Sequence, residues 1–370
     1  MLRSFLPVGQ GAFYREVFNL KDGRHTIIYD CGSLTAKSIV EQQIKDEFEE
    51  GEVIDAVFIS HLDEDHINGL PFLIKYCKVY NLFFPLVTTK DKAYLKLKAL
   101  LSVDKDHFLC KFIENPLDAI NSLGVDDAPM LYPVRTVGGD NWNNVDTGYI
   151  SSGENVAKKL TSVFNEGVNW ELIPFNFRQK ERIEKFKKAI VEIFGCDTDP
   201  DSIENKIRDL IDKYPNDKDK IKRAYGKVNK NLNTNTMTLF SGTKDSCVKQ
   251  YYAMPNCHFC GYCLPIKENG CLYMGDYGAS GSQKWKDLRD AYNEYWKYIG
   301  GVQIPHHGSR HNYNNEIAKL NAINIISAGC KNSYRHPHSS VIKDLILNDC
   351  LIHVVTENIG SQVDLKVDLF

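Results

Sequence analysis

The chain has 370 residues and no run of eighteen apolar ones, which argues against a helical membrane span. It has little net charge: 45 lysines and arginines against 48 aspartates and glutamates leave −3. No global field therefore marks nucleic-acid or membrane binding, although a nuclease can still bind through a local patch. No fixed-period repeat is present, which excludes a solenoid. The opening "MLRSFLPVGQGAFY" has too short an apolar stretch for a secretory signal. The eleven cysteines follow no regular framework, which favours reduced thiols over a disulfide scaffold. A cytoplasmic protein is expected.

What is present is 43% hydrophobic and 25% charged residues, ample for one large core or two domains. Strand patterns fall on "RSFLPV", "AFYREVFNL", "HTIIYD", "VIDAVFIS" and "KVYNLFFPL". Helical spacing falls between them, on "LTAKSIVEQQIKDEFEEG" and "HINGLPFLIKYC". This alternation predicts a layered α/β domain. From Val87 to Asn231 the pattern becomes mainly helical and rich in charge, as expected of an insertion. Its lysines read either as solvated helix faces or as a groove wall for a phosphate backbone. The last third returns to α/β character, with strands at "NTMTLFSG", "GCLYMGD", "GVQIPHHGS", "INIISAG" and, as the last strand, "LIHVVTE".

The chemistry concentrates where predicted strands end. Asp30 follows "HTIIY", and "SHLDEDHING" places His61, Asp63, Asp65 and His66 directly after "VIDAVFI". Asp276 follows "CLYMG", and His306 and His307 follow "GVQIP". Strand ends of an α/β layer meet in a crevice at the sheet edge. Isolated carboxylates there cost several kcal/mol unless paired or metal-bound. Mixed imidazole and carboxylate ligands suit zinc, manganese or iron. Two such ions roughly 3.5–4 Å apart activate a bridging hydroxide for in-line displacement at phosphorus.

These residues resemble the metallo-β-lactamase superfamily, whose motif is His-x-His-x-Asp-His. Asp63 stands at the second histidine, and "HLDEDH" is similar to the hydrolase domain of the ComEC/Rec2 competence family. "PVGQGAF", "YDCGS", "NTNTMTLF", "MGD", "IPHHGSRHN" and "SAGCKNSYRHPH" resemble further motifs of that family, in its order. The resemblance spans roughly residues 1–80 and 230–358. The superfamily's third-motif histidine has no match near Asn233–Asn235. The competence protein's membrane segments also have no match, so DNA uptake is not carried over.

The resemblance implies a four-layer αββα sandwich, formed by residues 1–86 and 232–370, with a mainly helical accessory subdomain over 87–231. It implies two divalent ions, Zn²⁺ or Mn²⁺. His61 and Asp63 would hold one, Asp65 and His66 the other, with Asp276 bridging and His306 or His307 completing the set. Strand alternation leads us to expect only one of the two histidines to point inward; His306 is placed with the ligands, and His307 and Asp65 with the catalytic groups. Asp30 would orient a ligand histidine. His338 is the expected proton donor to the leaving oxygen, with His336 as the alternative. Ser309 and Asn332 either touch a phosphate or cap loops. The implied activity is a phosphodiesterase or nuclease acting on nucleic acid or a nucleotide. Alternatives are a cyclic-nucleotide phosphodiesterase, a lactonase, or an effector subunit activated by a regulatory protein partner, for instance in phage defence.

One cluster stands apart. "CHFCGYC" sets Cys257, Cys260 and Cys263 three residues apart, with Cys271 following. It reads either as buried free thiols in a hairpin or as a separate structural zinc site.

Overall fold

A computed structural model describes residues 1–138, 148–160, 164, 169–228, 233–253, 263–266 and 268–369. The short apolar strands of the first third join others from later in the chain in a nine-stranded sheet. Its order is Cys263–Ile266, Lys249–Ala253, Val363–Asp368, Leu2–Phe5, Gly11–Leu20, Gly23–Ser33, Ala56–Phe58, Asn81–Pro85 and Met130–Val134. The second sheet has six strands: Ile352–Val355, Ile323–Ser327, Ile299–Gln303, Gly270–Tyr273, Asn235–Gly242 and Glu171–Arg178.

Burial explains why two sheets form and stack. Phe5, Tyr14, Tyr29 and Phe58 of the first sheet pack against Leu239, Tyr273 and Ile325 of the second in one core. The outer face of the first sheet is covered by Val40, Ile44, Leu70 and Leu73, from helices Lys37–Glu47 and Leu70–Tyr76. The outer face of the second is covered by Trp285, Leu288, Val341 and Leu345, from helices Ser282–Ala291 and Ser339–Leu347. The layers are thus helix, sheet, sheet, helix. No helix among the described residues is long and apolar enough to cross a membrane.

Two features depart from the sequence expectation. Residues 87–231 are mainly helical but also supply Met130–Val134 and Glu171–Arg178, edge strands of the two sheets, where no strand was expected. The helices of this range, Thr89–Ala99, Lys180–Phe194, Pro200–Asp212 and Lys218–Gly226, share a core of their own around Leu97, Phe186 and Ile207. Many of their charges pair along the helices, as in Lys187–Glu184, Arg208–Glu204 and Lys213–Asp209, the pattern of a solvated face. Second, "LIHVVTE" is not the last strand. Val363–Asp368 follows it and pairs antiparallel with Leu2–Phe5, with its alternating Val363, Leu365 and Val367 buried.

The strands Gly23–Ser33, Ala56–Phe58 and Asn81–Pro85 are mutually parallel, as are Gly270–Tyr273, Ile299–Gln303 and Ile323–Ser327. Parallel neighbours share a C-terminal edge, and that edge receives the His61–His66 loop, Asp276 and His306–His307.

Candidate metal centre

Asp30 is the extra residue of a β-bulge: Tyr29 pairs with Tyr14 and Cys31 with Phe13, leaving Asp30 with φ 57°. The bulge turns its carboxylate toward the next strand end. There Asp30, fully buried, accepts from the Ser60 amide at 2.6 Å, the Ser60 hydroxyl at 2.7 Å and His66 Nδ1 at 2.7 Å. Two glycines allow the close approach. A Cβ at Gly32 would lie 2.6 Å from the backbone of Asp65 and His66, and one at Gly275 would lie 2.6 Å from Ser60.

All four imidazoles of the cluster are anchored through Nδ1. His66 donates to Asp30, as above. With the Ser60 proton committed to Asp30, His61 Nδ1 donates to Ser60 Oγ at 2.9 Å. His306 Nδ1 donates to Asn312 Oδ1 at 2.9 Å, and Asn312 is fixed by its own bond to the Asp276 carbonyl at 2.9 Å. His307 Nδ1 donates to the Ser327 carbonyl at 2.8 Å. This turns every Nε2 toward the carboxylates. His61 Nε2 lies 3.6 Å from both Asp63 and Asp276, and His66 Nε2 lies 3.4 Å from Asp276. His306 Nε2 is 3.3 Å from Asp276, and His307 Nε2 is 3.2 Å from Asp65.

Both His306 and His307 therefore face the cluster, against the expectation that only one would. They do not sit on the strand. They follow it in a left-handed turn with φ of 50° and 56°, and Gly308 continues it at 77°. Strand alternation does not apply to such a turn. Its non-glycine residues carry backbone strain of the kind found at functional sites.

The charges are strongly interdependent. Burial alone would raise the Asp276 pKa, but the imidazoles of His306, His61 and His66 hold it well below the carboxylate range. Burial opposes the charged form of His66, yet Asp30, Asp65 and Asp276 raise its pKa well above the ordinary value. Asp63 sits just ahead of helix Glu64–Ile67 without capping it. Its oxygens instead accept from Lys98 Nζ at 2.8 and 2.5 Å. Lys98 also donates to Asn233 Oδ1 at 3.0 Å, and Asn233 donates to Asp276 at 3.2 Å. Asn233 thus reaches the cluster from the segment where the third-motif histidine was missing.

The fit to metal is direct. His61 Nε2, His66 Nε2 and Asp276 Oδ1 are buried with no hydrogen-bond partner. Ligand atoms of His61, His66 and Asp276 lie within 4.8 Å of one another, as do those of Asp65, His66 and His307, and of His61, Asp63 and Asp65.

Other expected site residues are placed differently. His336 lines the cavity beside the cluster, and burial with the nearby His306 and His307 pushes its pKa down to about 4. The shift favours its neutral form, which suits accepting a proton more than donating one. His338 does not line the cavity; its Nδ1 accepts from the Ser340 amide at 3.1 Å, capping helix Ser339–Leu347. Asn332 braces the His336 backbone with bonds of 2.6 and 2.9 Å. Ser309 Oγ accepts from the His311 amide at 3.3 Å, the loop-capping reading. Cys257 and Cys260 lie outside the described residues, and Cys263 is described only as part of its strand. Cys271 is a free thiol buried in the core between the sheets.

Sequence reading missed the supports that come from afar. Gln303 Oε1 accepts from the Met274 and Gly275 amides, both at 2.7 Å, and so sets the Asp276 loop. Arg182, from helix Lys180–Phe194, has its pKa lowered by burial and raised by the charges of Asp276 and Asp63.

No curated protein matches the chain. Among solved structures, human tRNase Z, short form, matches with a TM-score of 0.41 and 9% identity, over 96% of this chain and 92% of that one. Residues 16–81 match the model of the metallo-beta-lactamase superfamily, and the four-layer sandwich that carries them is the fold of that superfamily.

Proposed function

We propose that the protein is a metal-dependent hydrolase of phosphodiesters. The observation that supports this most is the common anchoring of His61, His66, His306 and His307 through Nδ1, with each Nε2 left to the carboxylates. Such outer partners fix the tautomer a metal ligand needs.

His61, Asp63, Asp65, His66, Asp276, His306 and His307 would hold two divalent ions, and Asp276 lies close to three of the imidazoles. Zn²⁺ and Mn²⁺ both suit this donor set. Bound there, the ions would activate water and stabilise charge developing on the phosphoryl oxygens. Divalent ions bound there would add the positive charge that suits a diester anion. Asp30 and Ser60 hold His66 and His61 in register, Gln303 and Asn312 hold Asp276 and His306, and neutral His336 at the cavity wall accepts a proton from an incoming water.

The test combines bis-p-nitrophenyl phosphate, DNA, RNA and a lactone panel with Mn²⁺ and Zn²⁺ in turn. Metal-dependent diester hydrolysis is expected, with Asp276→Ala reducing kcat by on the order of 10²–10³-fold. Lactone hydrolysis without diester hydrolysis, or full diester activity in Asp276→Ala, overturns the reading.

A further inference from the structure

The cluster opens into a cavity of about 590 Å³. Its floor is Asp63, Asp65, Asp276 and the two histidines of the left-handed turn. Its walls come from helices Thr89–Ala99 and Lys218–Gly226 and from the Tyr334–His336 loop. A volume of this size lies within the range of about 300–1,000 Å³ typical of small-ligand sites. A duplex groove would instead spread over roughly 1,000–2,500 Å² of protein surface.

The charge of the walls points the same way. Among the described residues, Lys98 and Lys222 are the lysines or arginines lining the cavity. Lys98 is already held by Asp63 and Asn233, which leaves exposed Lys222 on the helix opposite the cluster. Proteins that track a polymer backbone neutralise about 6–10 phosphates. Here one uncommitted ammonium serves one further phosphate beyond the one at the metal centre.

A third observation supplies a flat surface. Tyr334, 54% exposed, lies at the cavity with its ring stacked on His336 at 5.7 Å and 20°. The face turned away from His336 is available to a planar group, and aromatic rings of this kind stack nucleobases of any sequence.

We infer that the substrate is a nucleotide phosphodiester of one- to two-nucleotide size. Its scissile phosphate sits on the His/Asp cluster, a base lies on Tyr334, and Lys222 meets a neighbouring phosphate. The inference rests on the phosphodiesterase reading and narrows it. The same chemistry is offered by a free dinucleotide and by the end of a single strand; a duplex interior and a closed circle do not offer it. In hydrolysis, water adds to phosphorus, one P–O ester bond breaks, and the leaving oxygen takes a proton.

The experiment uses the full chain with saturating Mn²⁺ and compares bis-p-nitrophenyl phosphate, a deoxydinucleotide, a linear single strand, a closed circular single strand and a blunt duplex. The expected result is cleavage of the dinucleotide at least tenfold more efficiently than of the circle or the duplex interior. A linear strand shortened from one end identifies the chain end as a source; an untouched linear strand identifies the free dinucleotide. Tyr334→Ala should raise the dinucleotide KM about tenfold, the scale of one lost base stack. Lys222→Ala should raise KM for a dinucleotide carrying a terminal phosphate more than for one without it. Wild-type cleavage of the circle or duplex at the dinucleotide's efficiency, or an unchanged KM in Tyr334→Ala, overturns the inference while bis-p-nitrophenyl phosphate hydrolysis upholds the phosphodiesterase reading. Failure on every diester overturns both.

Discussion

Lys98 grips both carboxylate oxygens of Asp63, at 2.8 and 2.5 Å, and does so from a helix that lies outside the segment matching the superfamily. The ammonium and a metal ion would compete for the same oxygens. Lys98→Ala should therefore destabilise the metal-free protein by about 1–3 kcal/mol, the worth of hydrogen bonds to a charged group. It should also tighten divalent-ion binding. Thermal melts in EDTA and in saturating Mn²⁺, with calorimetric titration of the metal, check this. An equal loss of stability with and without metal would mean that Lys98 serves the fold alone.

Asp30→Asn keeps the size of the side chain but loses an acceptor for His66 Nδ1. Metal affinity, read by competition with a chromophoric chelator, should fall about 10–100-fold, the usual cost of removing an outer partner of a ligand histidine. Unchanged affinity would show that His66 holds its orientation without Asp30.

His338→Ala removes a helix cap and nothing from the cavity. It should cost about 1 kcal/mol of stability and leave kcat for bis-p-nitrophenyl phosphate within twofold. A loss of tenfold or more in kcat would return His338 to the catalytic set.

The pH dependence of stability has a contribution far from the centre. Burial holds the His353 pKa below its ordinary 6.5, with the Ser361 carbonyl pulling the other way. His353 Nε2 donates to that carbonyl at 3.0 Å, and Nδ1 accepts from the Tyr252 hydroxyl at 2.7 Å. In the unfolded chain this imidazole takes a proton at higher pH than in the folded one. Its contribution is thus complete above about pH 6.5 and is lost as pH falls through the depressed folded value. His353→Gln should melt closer to wild type at pH 5.5 than at pH 7.5. A gap that does not change with pH would assign the acid sensitivity to other groups.

How much of this was legible in the sequence follows from how local each signal is. "HLDEDH" is contiguous, and its place after an apolar run told where it would sit. Asp276 and the His306–His307 pair were legible because each follows a strand of a parallel layer; Asp30 was read as a strand end too, although its strand runs on around the bulge to Ser33. What the order of residues could not convey was the conformation of single residues. The positive φ of His306 and His307 brings both rings inward, whereas strand alternation allows one. Lys98, Asn233, Gln303 and Asn312 were illegible for another reason. Lys98 reaches Asn233 over 135 residues, Asn233 reaches Asp276 over 43 and Gln303 reaches Met274 over 29, while Asn312 bonds His306 from a turn six residues on; none leaves a periodic trace. The edge strands Met130–Val134 and Glu171–Arg178 were lost in a range whose helices dominate its composition.

The turn at His306, His307 and Gly308 has a consequence for how the gene can change. Three successive residues wind left-handed there, at roughly 1–2 kcal/mol for each one that is not glycine. Along a strand, a one-residue deletion exchanges inward for outward positions and can be absorbed by a register shift. Inside this turn both rings depend on the same run of positive φ, so a single deletion bears on the contact to Asp65 and the one to Asp276 together. The two halves of the centre are thereby inherited as one unit: point substitution can sample either histidine alone, but insertions and deletions at this spot act on both.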